Sequence, residues 1–231
     1  MGGMRSEESP FGRAVFTDET PLRYDGNYLW VDRAAEPQEL VAEARRLERR
    51  MIFVPDSTLG DRLAPYFEQH GWRIDRHLLM AQLREPERSA DLSLVQEVEE
   101  EALRGPRRVL LQNEPWAKPE VVDQIFGAKV LLAGRVETHF FGVEVGGEIV
   151  SWSELYLDRG DAQVEDVGTL EEHRGRGYAS AAVLAAAERA RAGGADFVFL
   201  VADAEDWPKE LYRRLGFDEL GRYTKFFTPS T

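Results

Sequence analysis

The sequence predicts an α/β protein in which short strands and helices alternate along the chain. Two alternating apolar segments flank Gly146-Gly147, and this pattern is typical of a β-hairpin. A helical segment from about residue 177 to 191 is followed by Gly193-Gly194, and glycines of this kind commonly end helices. Short apolar segments rich in valine and phenylalanine follow, as expected for buried strands.

An N-terminal block, residues 11–85, precedes the hairpin region. Residues 1–10 lack an apolar pattern and are predicted to be disordered. The elements expected in the block are a strand at 28–31, a helix at 37–50, a strand at 51–54, a helix at 61–69 and a strand at 76–83. The charged segment 84–91 contains a proline and no periodicity, so it is predicted to be a linker.

A second block, residues 92–231, contains the hairpin. Its predicted elements are helices at 94–103 and 119–126, hairpin strands at 138–145 and 148–157, a strand at 163–170, a helix at 177–191, a strand at 197–201, a helix at 207–215 and a strand at 222–227.

The two blocks share a short local pattern. Phe67, Gly71 and Trp72 correspond at one constant offset to Tyr212, Gly216 and Phe217. One explanation is that the first block is a shortened, degenerate copy of the second. The other is that a helix, a glycine and an aromatic residue before a strand are a common way to end a helix. A copy with phenylalanine in place of Tyr212 could not perform chemistry that needs a phenol.

Composition excludes several classes of function. The chain has no cysteine, so disulfides, thiolate nucleophiles and cysteine–zinc sites are excluded. Its four histidines are scattered without metal-ligand spacing, so no metal is expected. The net charge of −13 argues against a nucleic-acid partner and is compatible with a cationic acceptor, although solubility alone also explains it. No segment is apolar over a membrane-spanning length, and a cytoplasmic protein is expected.

The segment Arg174-Gly-Arg-Gly-Tyr-Ala179 carries the clearest chemical signal. A basic glycine turn between a strand and a helix places backbone N–H groups where they can hold a pyrophosphate. Asp196 lies near the spacing of a ribose-binding acid in a dinucleotide fold, but the third glycine of that motif is missing. A P-loop is excluded because Gly-Lys-Ser/Thr is absent.

This turn, together with Tyr212 in Leu-Tyr-Arg-Arg-Leu-Gly-Phe, resembles the GNAT (Gcn5-related) N-acetyltransferases. The resemblance implies a twisted, mostly antiparallel mixed sheet flanked by helices, with a catalytic domain over 92–231 and a degenerate GNAT-like extension over 11–85. It also implies acetyl-CoA as cosubstrate and Tyr212 as the acid that protonates the leaving thiolate. The residues that it assigns to coenzyme A are Val167, Gly168, Thr169, Arg174, Gly175, Arg176, Gly177, Tyr178, Ala179 and Ser180.

Family members often use a glutamate on the central strands to accept the proton of the amine. Glu154, Glu165 and Asp166 are the candidates, and Trp152 could line the acceptor cleft beside Glu154. Glu205 stands where the family usually has an asparagine, so contacts of that asparagine are not expected.

No nucleophile is apparent, because cysteine and the pattern Gly-x-Ser-x-Gly are both absent, so direct transfer to a small-molecule or peptide amine is expected. The chain could also form a homodimer. Two alternatives remain: a catalytically weak module that binds or senses acyl-CoA, and an interaction module.

Overall fold

The computed structural model describes residues 4–87, 89–112, 114 and 116–229, and this part of the chain divides into two compact units. The first contains the described residues up to Leu79, Asp203–Asp206 and those from Gly221 onward. The second contains Met80–Ala202 and Trp207–Leu220. The units therefore differ from two successive blocks, because the last strand contributes residues to both. Within the described residues, the longest apolar helices fall short of a membrane span.

The first unit is a mixed sheet with helices packed on it. Its elements are β1 (Met4–Ser9), β2 (Gly12–Thr17), β3 (Leu29–Val31), α1 (Pro37–Arg46), β4 (Met51–Val54), α2 (Ser57–Gln69), the larger part of β5 (Arg73–Gln82) and the end of β11 (Phe217–Phe227). The strands follow the order β1-β2-β3-β4-β11-β5. The pair β3–β4 is parallel, whereas β1–β2, β2–β3 and β4–β11 are antiparallel.

The prediction of a disordered N-terminus is wrong for residues 4–9. They form β1, which pairs with β2 from Met4 opposite Thr17 to Ser9 opposite Gly12. All of β1 except Ser9 is exposed, so this strand has no apolar alternation that the sequence could reveal. Backbone pairing to a neighbouring strand stabilises it instead. Residues 1–3 of the predicted disordered segment lie outside the described residues.

The core of the first unit lies between its helices and one face of its sheet. Leu40 of α1 and Phe67 of α2 are fully buried against Ile52 and Phe226. The pattern shared by the two blocks has a structural counterpart. Gly71 follows α2 and adopts a left-handed φ of 72°, as Gly216 does at 87° in the second unit.

The second unit is a sheet with the order β5-β10-β9-β8-β7-β6. Besides the ends of β5 and β11, its elements are a 3₁₀ turn (Leu92–Leu94), β6 (Val95–Val98), α3 (Glu100–Leu111), α4 (Pro119–Ala133), β7 (Glu137–Val145), β8 (Glu148–Asp158), β9 (Asp161–Thr169), a 3₁₀ turn (Glu171–His173), α5 (Tyr178–Ala192), β10 (Phe197–Asp203) and α6 (Pro208–Arg214). The pair β9–β10 is parallel, whereas β6–β7, β7–β8 and β8–β9 are antiparallel.

The predicted hairpin is confirmed as β7 and β8, but the helix predicted at 94–103 is wrong in its first half. Val95–Val98 form β6, and the helix α3 starts only at Glu100. Pairing with β7, in which Val95 lies opposite Val143, overrides the local helical spacing. Likewise, α4 continues beyond its predicted end to Ala133.

Helices cover both faces of the central strand β8. On one face, Leu103 of α3 packs with Trp152. On the other, the hydroxyl of Ser153 donates a 2.9 Å hydrogen bond to the carbonyl of Ala182 in α5. Because successive side chains of β8 point to opposite faces, those of Trp152 and Glu154 lie on the face covered by α3.

Candidate active site

Strands β9 and β10 separate before β9 ends. Their parallel register runs from Asp161 opposite Phe197 to Val164 opposite Leu200, and β9 then continues to Thr169. Among the described strands, none pairs with the β10-facing edge of this last stretch. An extended, amide-bearing molecule could pair with such an edge as an added strand does.

A β-bulge lies in the same stretch. Trp152 pairs with Gly168 and Glu154 with Glu165, so two residues of β9, Asp166 and Val167, lie opposite one residue of β8. Asp166 has a left-handed φ of 50°, a conformation that glycine commonly supplies in bulges. The residue with the unusual backbone in this bulge is Asp166, directly before Val167 and Gly168.

Gly168 packs against the side chain of Trp152. A Cβ built on Gly168 would lie 2.3 Å from the indole carbon Cζ2 of Trp152. The indole is only 2% exposed and packs across the backbone of Gly168. The close approach at Gly168 therefore comes from a side chain of β8. Trp152 cannot line an open acceptor cleft, because it is buried.

The turn between β9 and α5 has the geometry expected for binding an anion. Gly175 and Gly177 adopt left-handed φ angles of 75° and 84°, and a Cβ on either would point into open space. Among the described residues, no side chain caps the helix that begins at Tyr178. The first N–H groups of a helix lack intrahelical acceptors and carry the positive end of its dipole, so they suit a phosphate.

The two arginines of the turn contact backbone oxygens. Arg174 donates from Nε to the carbonyl of Thr169 at 3.3 Å, and Arg176 donates to the carbonyl of Glu172 at 3.2 Å. Both side chains are exposed, so they also place positive charge beside the helix N-terminus.

Tyr212 lies in α6, the short helix before the last strand. Its side chain is buried at 8% exposure and contacts Phe217 edge-on, with 6.4 Å between the ring centroids. Glu205, which stands in place of the family's asparagine, pairs with Arg76 at 3.0 Å.

A cluster of charged side chains surrounds Glu154. The guanidinium of Arg107 contacts both Glu154 and Asp166, the latter at 2.6 Å from Nε to Oδ2. The ammonium of Lys129 lies 2.8 Å from Glu154 and 3.2 Å from Asp166. Tyr156 donates its hydroxyl proton to the other oxygen of Glu154. Two cations, two carboxylates and a phenol thus link α3 and α4 to β8 and β9.

This cluster changes the expectation for Glu154. Its side chain is completely buried, and both carboxylate oxygens accept hydrogen bonds. A substrate amine therefore cannot reach Glu154 in this arrangement. Burial, with the neighbouring carboxylate of Glu154, raises the pKa of Tyr156, so the phenol remains protonated at neutral pH.

Glu165 differs from Glu154 in being half-buried. It accepts hydrogen bonds from the amide of Gln163 at 2.7 Å and from the backbone N–H of Asp166 at 3.1 Å. Sequence reasoning did not identify Arg107 or Lys129. The available signal was an arginine four residues after Leu103, on the helical face expected to be buried.

Solved structures of low sequence identity share the fold of this chain. One is a functionally unknown conserved protein from Staphylococcus epidermidis ATCC 12228, with a TM-score of 0.71 and 15% identity, covering 100% of this chain and 95% of that one. Another is a GCN5-related N-acetyltransferase from Kribbella flavida, with a TM-score of 0.61 and 19% identity, covering 99% and 91%.

The N-terminal half shares this likeness. A tandem GNAT protein from the clavulanic acid biosynthesis pathway has a TM-score of 0.59 and 15% identity, covering 95% of this chain and 79% of its own. The N-terminal half is therefore GNAT-like in fold. No curated protein sequence matches the chain. The sequence model described as Acetyltransferase (GNAT) family matches residues 94–217, more than half of the chain. The chain therefore belongs to the GNAT acetyltransferase family.

Proposed function

We propose that this protein is an acetyl-CoA-dependent N-acetyltransferase that transfers the acetyl group directly to an amine. The separation of β9 from β10 beside the uncapped start of α5 carries the proposal. An extended backbone edge suits an arm that contains amides, and orphan helix N–H groups suit the pyrophosphate at its end. Coenzyme A combines both groups in one molecule.

Each part of the site has a role in this proposal. The backbone of Val167, Gly168 and Thr169 would pair with the amides of the arm. The N–H groups from Gly177 to Ser180 would hold the pyrophosphate, with Arg174 and Arg176 adding positive charge. Tyr178 and Ala179 lie within this first helical turn, where their own N–H groups contribute.

The chemistry consists of one acyl transfer and two proton movements. Bound acetyl-CoA would supply an activated thioester. Tyr212 would donate its Oη proton to the departing sulfur, as a general acid. Glu165 is the better candidate than Glu154 for accepting the proton of the amine, since Glu154 is sealed by its partners. The acceptor is a small-molecule or peptide amine.

Ligand binding to the folded protein provides the first test. A ligand that binds only the folded state raises the melting temperature, by an amount that corresponds to about 2.7 kcal/mol at a concentration of 100 Kd. We expect a rise with acetyl-CoA and none with NADH or ATP. A rise with NADH alone would contradict the proposal.

Turnover provides the second test. Tyr212→Phe should lower kcat about 100-fold or more in a thiol-release assay over a panel of amines, while acetyl-CoA binding is retained. Tyr66→Phe is the matched control, because Tyr66 lies in α2 of the other unit, stacked on His70. Unchanged turnover in Tyr212→Phe would displace Tyr212 as the acid. Binding without turnover on any amine would instead favour a module that senses acyl-CoA.

A further inference from the structure

The bulge of β9 contains a residue in the left-handed backbone region. Asp166 has a φ of 50°, and L-residues other than glycine, asparagine and aspartate rarely adopt this region. Asp166 directly precedes Val167, the first residue of the edge that the proposed function assigns to coenzyme A. The conformation of Asp166 therefore sets the direction in which that edge continues.

The side chain of Asp166 is held from two helices. Arg107 of α3 reaches it at 2.6 Å, and Lys129 of α4 reaches it at 3.2 Å. Arg107 is 4% exposed in its side chain and also contacts the buried Glu154 on β8. One buried guanidinium thus joins the bulge, where the side chain of Asp166 is 38% exposed, to the fully buried Glu154 on the strand beside it.

We propose that Asp166 is a positioning residue for acyl-CoA: its carboxylate, held by Arg107 and Lys129, keeps the bulge in the left-handed conformation that aligns the cofactor edge of β9. This inference rests on the proposed function, since it concerns how the same edge binds its ligand. Asp166 acts through the backbone of Val167 and Gly168, and Arg107 acts through Asp166. Neither residue takes part in bond making or bond breaking.

Substitutions at Asp166 separate a backbone role from a chemical role. Asp166→Ala loses the carboxylate and disfavours the left-handed conformation, so the KM for acetyl-CoA should rise about tenfold with kcat changed less than about twofold. Asp166→Gly also loses the carboxylate but adopts a positive φ readily, so its KM should lie within about threefold of wild type. Asp166→Asn, which tolerates the same conformation, should resemble the glycine variant.

Arg159 is the matched control. It is also a non-glycine residue of left-handed φ (51°), in the turn between β8 and β9, but its side chain is 92% exposed and lies outside the cluster. Arg159→Ala and Arg159→Gly should have the same KM for acetyl-CoA as each other. Arg107→Lys keeps a cation beside Glu154 but cannot reproduce the contacts of the guanidinium. It should raise the KM in the wild-type background and have no further effect in the Asp166→Gly background.

The measurements are acetyl-CoA affinity by calorimetry, KM and kcat on the full chain, and circular dichroism to confirm folding of each variant. If Asp166→Ala and Asp166→Gly lose kcat equally at unchanged KM, the carboxylate acts on the reaction and the inference is overturned. It is also overturned if Asp166→Ala binds acetyl-CoA as wild type does. Absence of binding by the wild-type protein overturns the proposed function, and the inference with it. If Asp166→Ala fails to fold, the effect of Arg107→Lys on the KM is compared between the wild-type and Asp166→Gly backgrounds. An equal effect in both backgrounds would then overturn the inference.

Discussion

Replacing Arg107 by methionine removes the guanidinium that lies between two carboxylates of the second unit. Glu154 is fully buried, so among the described residues the variant leaves this carboxylate with Lys129 and Tyr156 as partners. Removing one partner of a buried ion pair typically costs about 3–5 kcal/mol, because the remaining charge is poorly solvated. The free energy of unfolding of Arg107→Met should therefore fall by about 3 kcal/mol or more.

The neighbouring residue on the same helix provides the control. Arg108 pairs with Asp123 at 3.2 Å, but the two side chains are 49% and 69% exposed. Exposed pairs contribute about 0–1 kcal/mol, so Arg108→Met should change stability by less than about 1 kcal/mol. In urea, with an m-value of roughly 2 kcal/mol per M, Arg107→Met should lower the unfolding midpoint by about 1.5 M or more and Arg108→Met by less than about 0.5 M.

A double variant tests the cause of the loss. Glu154→Gln removes the negative charge but keeps an oxygen that can accept the hydrogen bond of Tyr156. If an unpaired buried charge explains the loss, adding Glu154→Gln to Arg107→Met should restore part of the stability, and the effects should be clearly non-additive. Equal midpoints for Arg107→Met and Arg108→Met, or strict additivity in the double variant, would refute this reasoning.

Three further outcomes are expected. Gly168→Ala should lower the free energy of unfolding, measured in urea, by about 1–3 kcal/mol, because the added Cβ overlaps the buried indole of Trp152. The control Gly221→Ala should change it by less than about 0.5 kcal/mol, because its Cβ would meet no described atom within 4 Å. Gly177→Ala should weaken acetyl-CoA binding, measured by calorimetry, about tenfold, because Gly177 has a φ of 84° at the place where the pyrophosphate is proposed to bind. The control Gly194→Ala, at an equally left-handed residue far from that turn in the sequence, should leave the affinity unchanged. Burial lowers the pKa of His77 to about 4, so below pH 6.5 the unfolded chain binds the proton more readily than the folded one. Stability should therefore fall between pH 6.5 and pH 4, and His77 should contribute at most about 1.4 kcal/mol per pH unit to that slope. A His77→Gln variant should show a smaller slope in urea midpoints measured across that range.

Features that depend on neighbouring residues in the sequence were predicted well. The hairpin, the glycine turn at Gly175 and Gly177, and the helix that follows it all formed where expected. In each case the determinant is local, because a glycine permits a positive φ and the apolar period matches one element. The same holds for the left-handed glycines after α2 and α6.

Features that depend on distant partners were predicted poorly. The strand β1 has almost no buried side chain, so only its pairing with β2 explains it. Likewise, β6 forms within a segment of helical spacing because β7 offers it a strand partner. Local preference is too weak to resist such pairing when the neighbouring strand is already in place.

By itself, the sequence determined the glycine turn between β9 and α5, the position of Tyr212 before the last strand and the family of the protein. Only the tertiary structure decided what Glu154, Asp166 and Gly168 contact. Their surroundings come from elements far away in the chain: Arg107 on α3 and an indole on β8. Whether a carboxylate can act as a base depends on burial and on its partners, and these quantities exist only after the elements have packed.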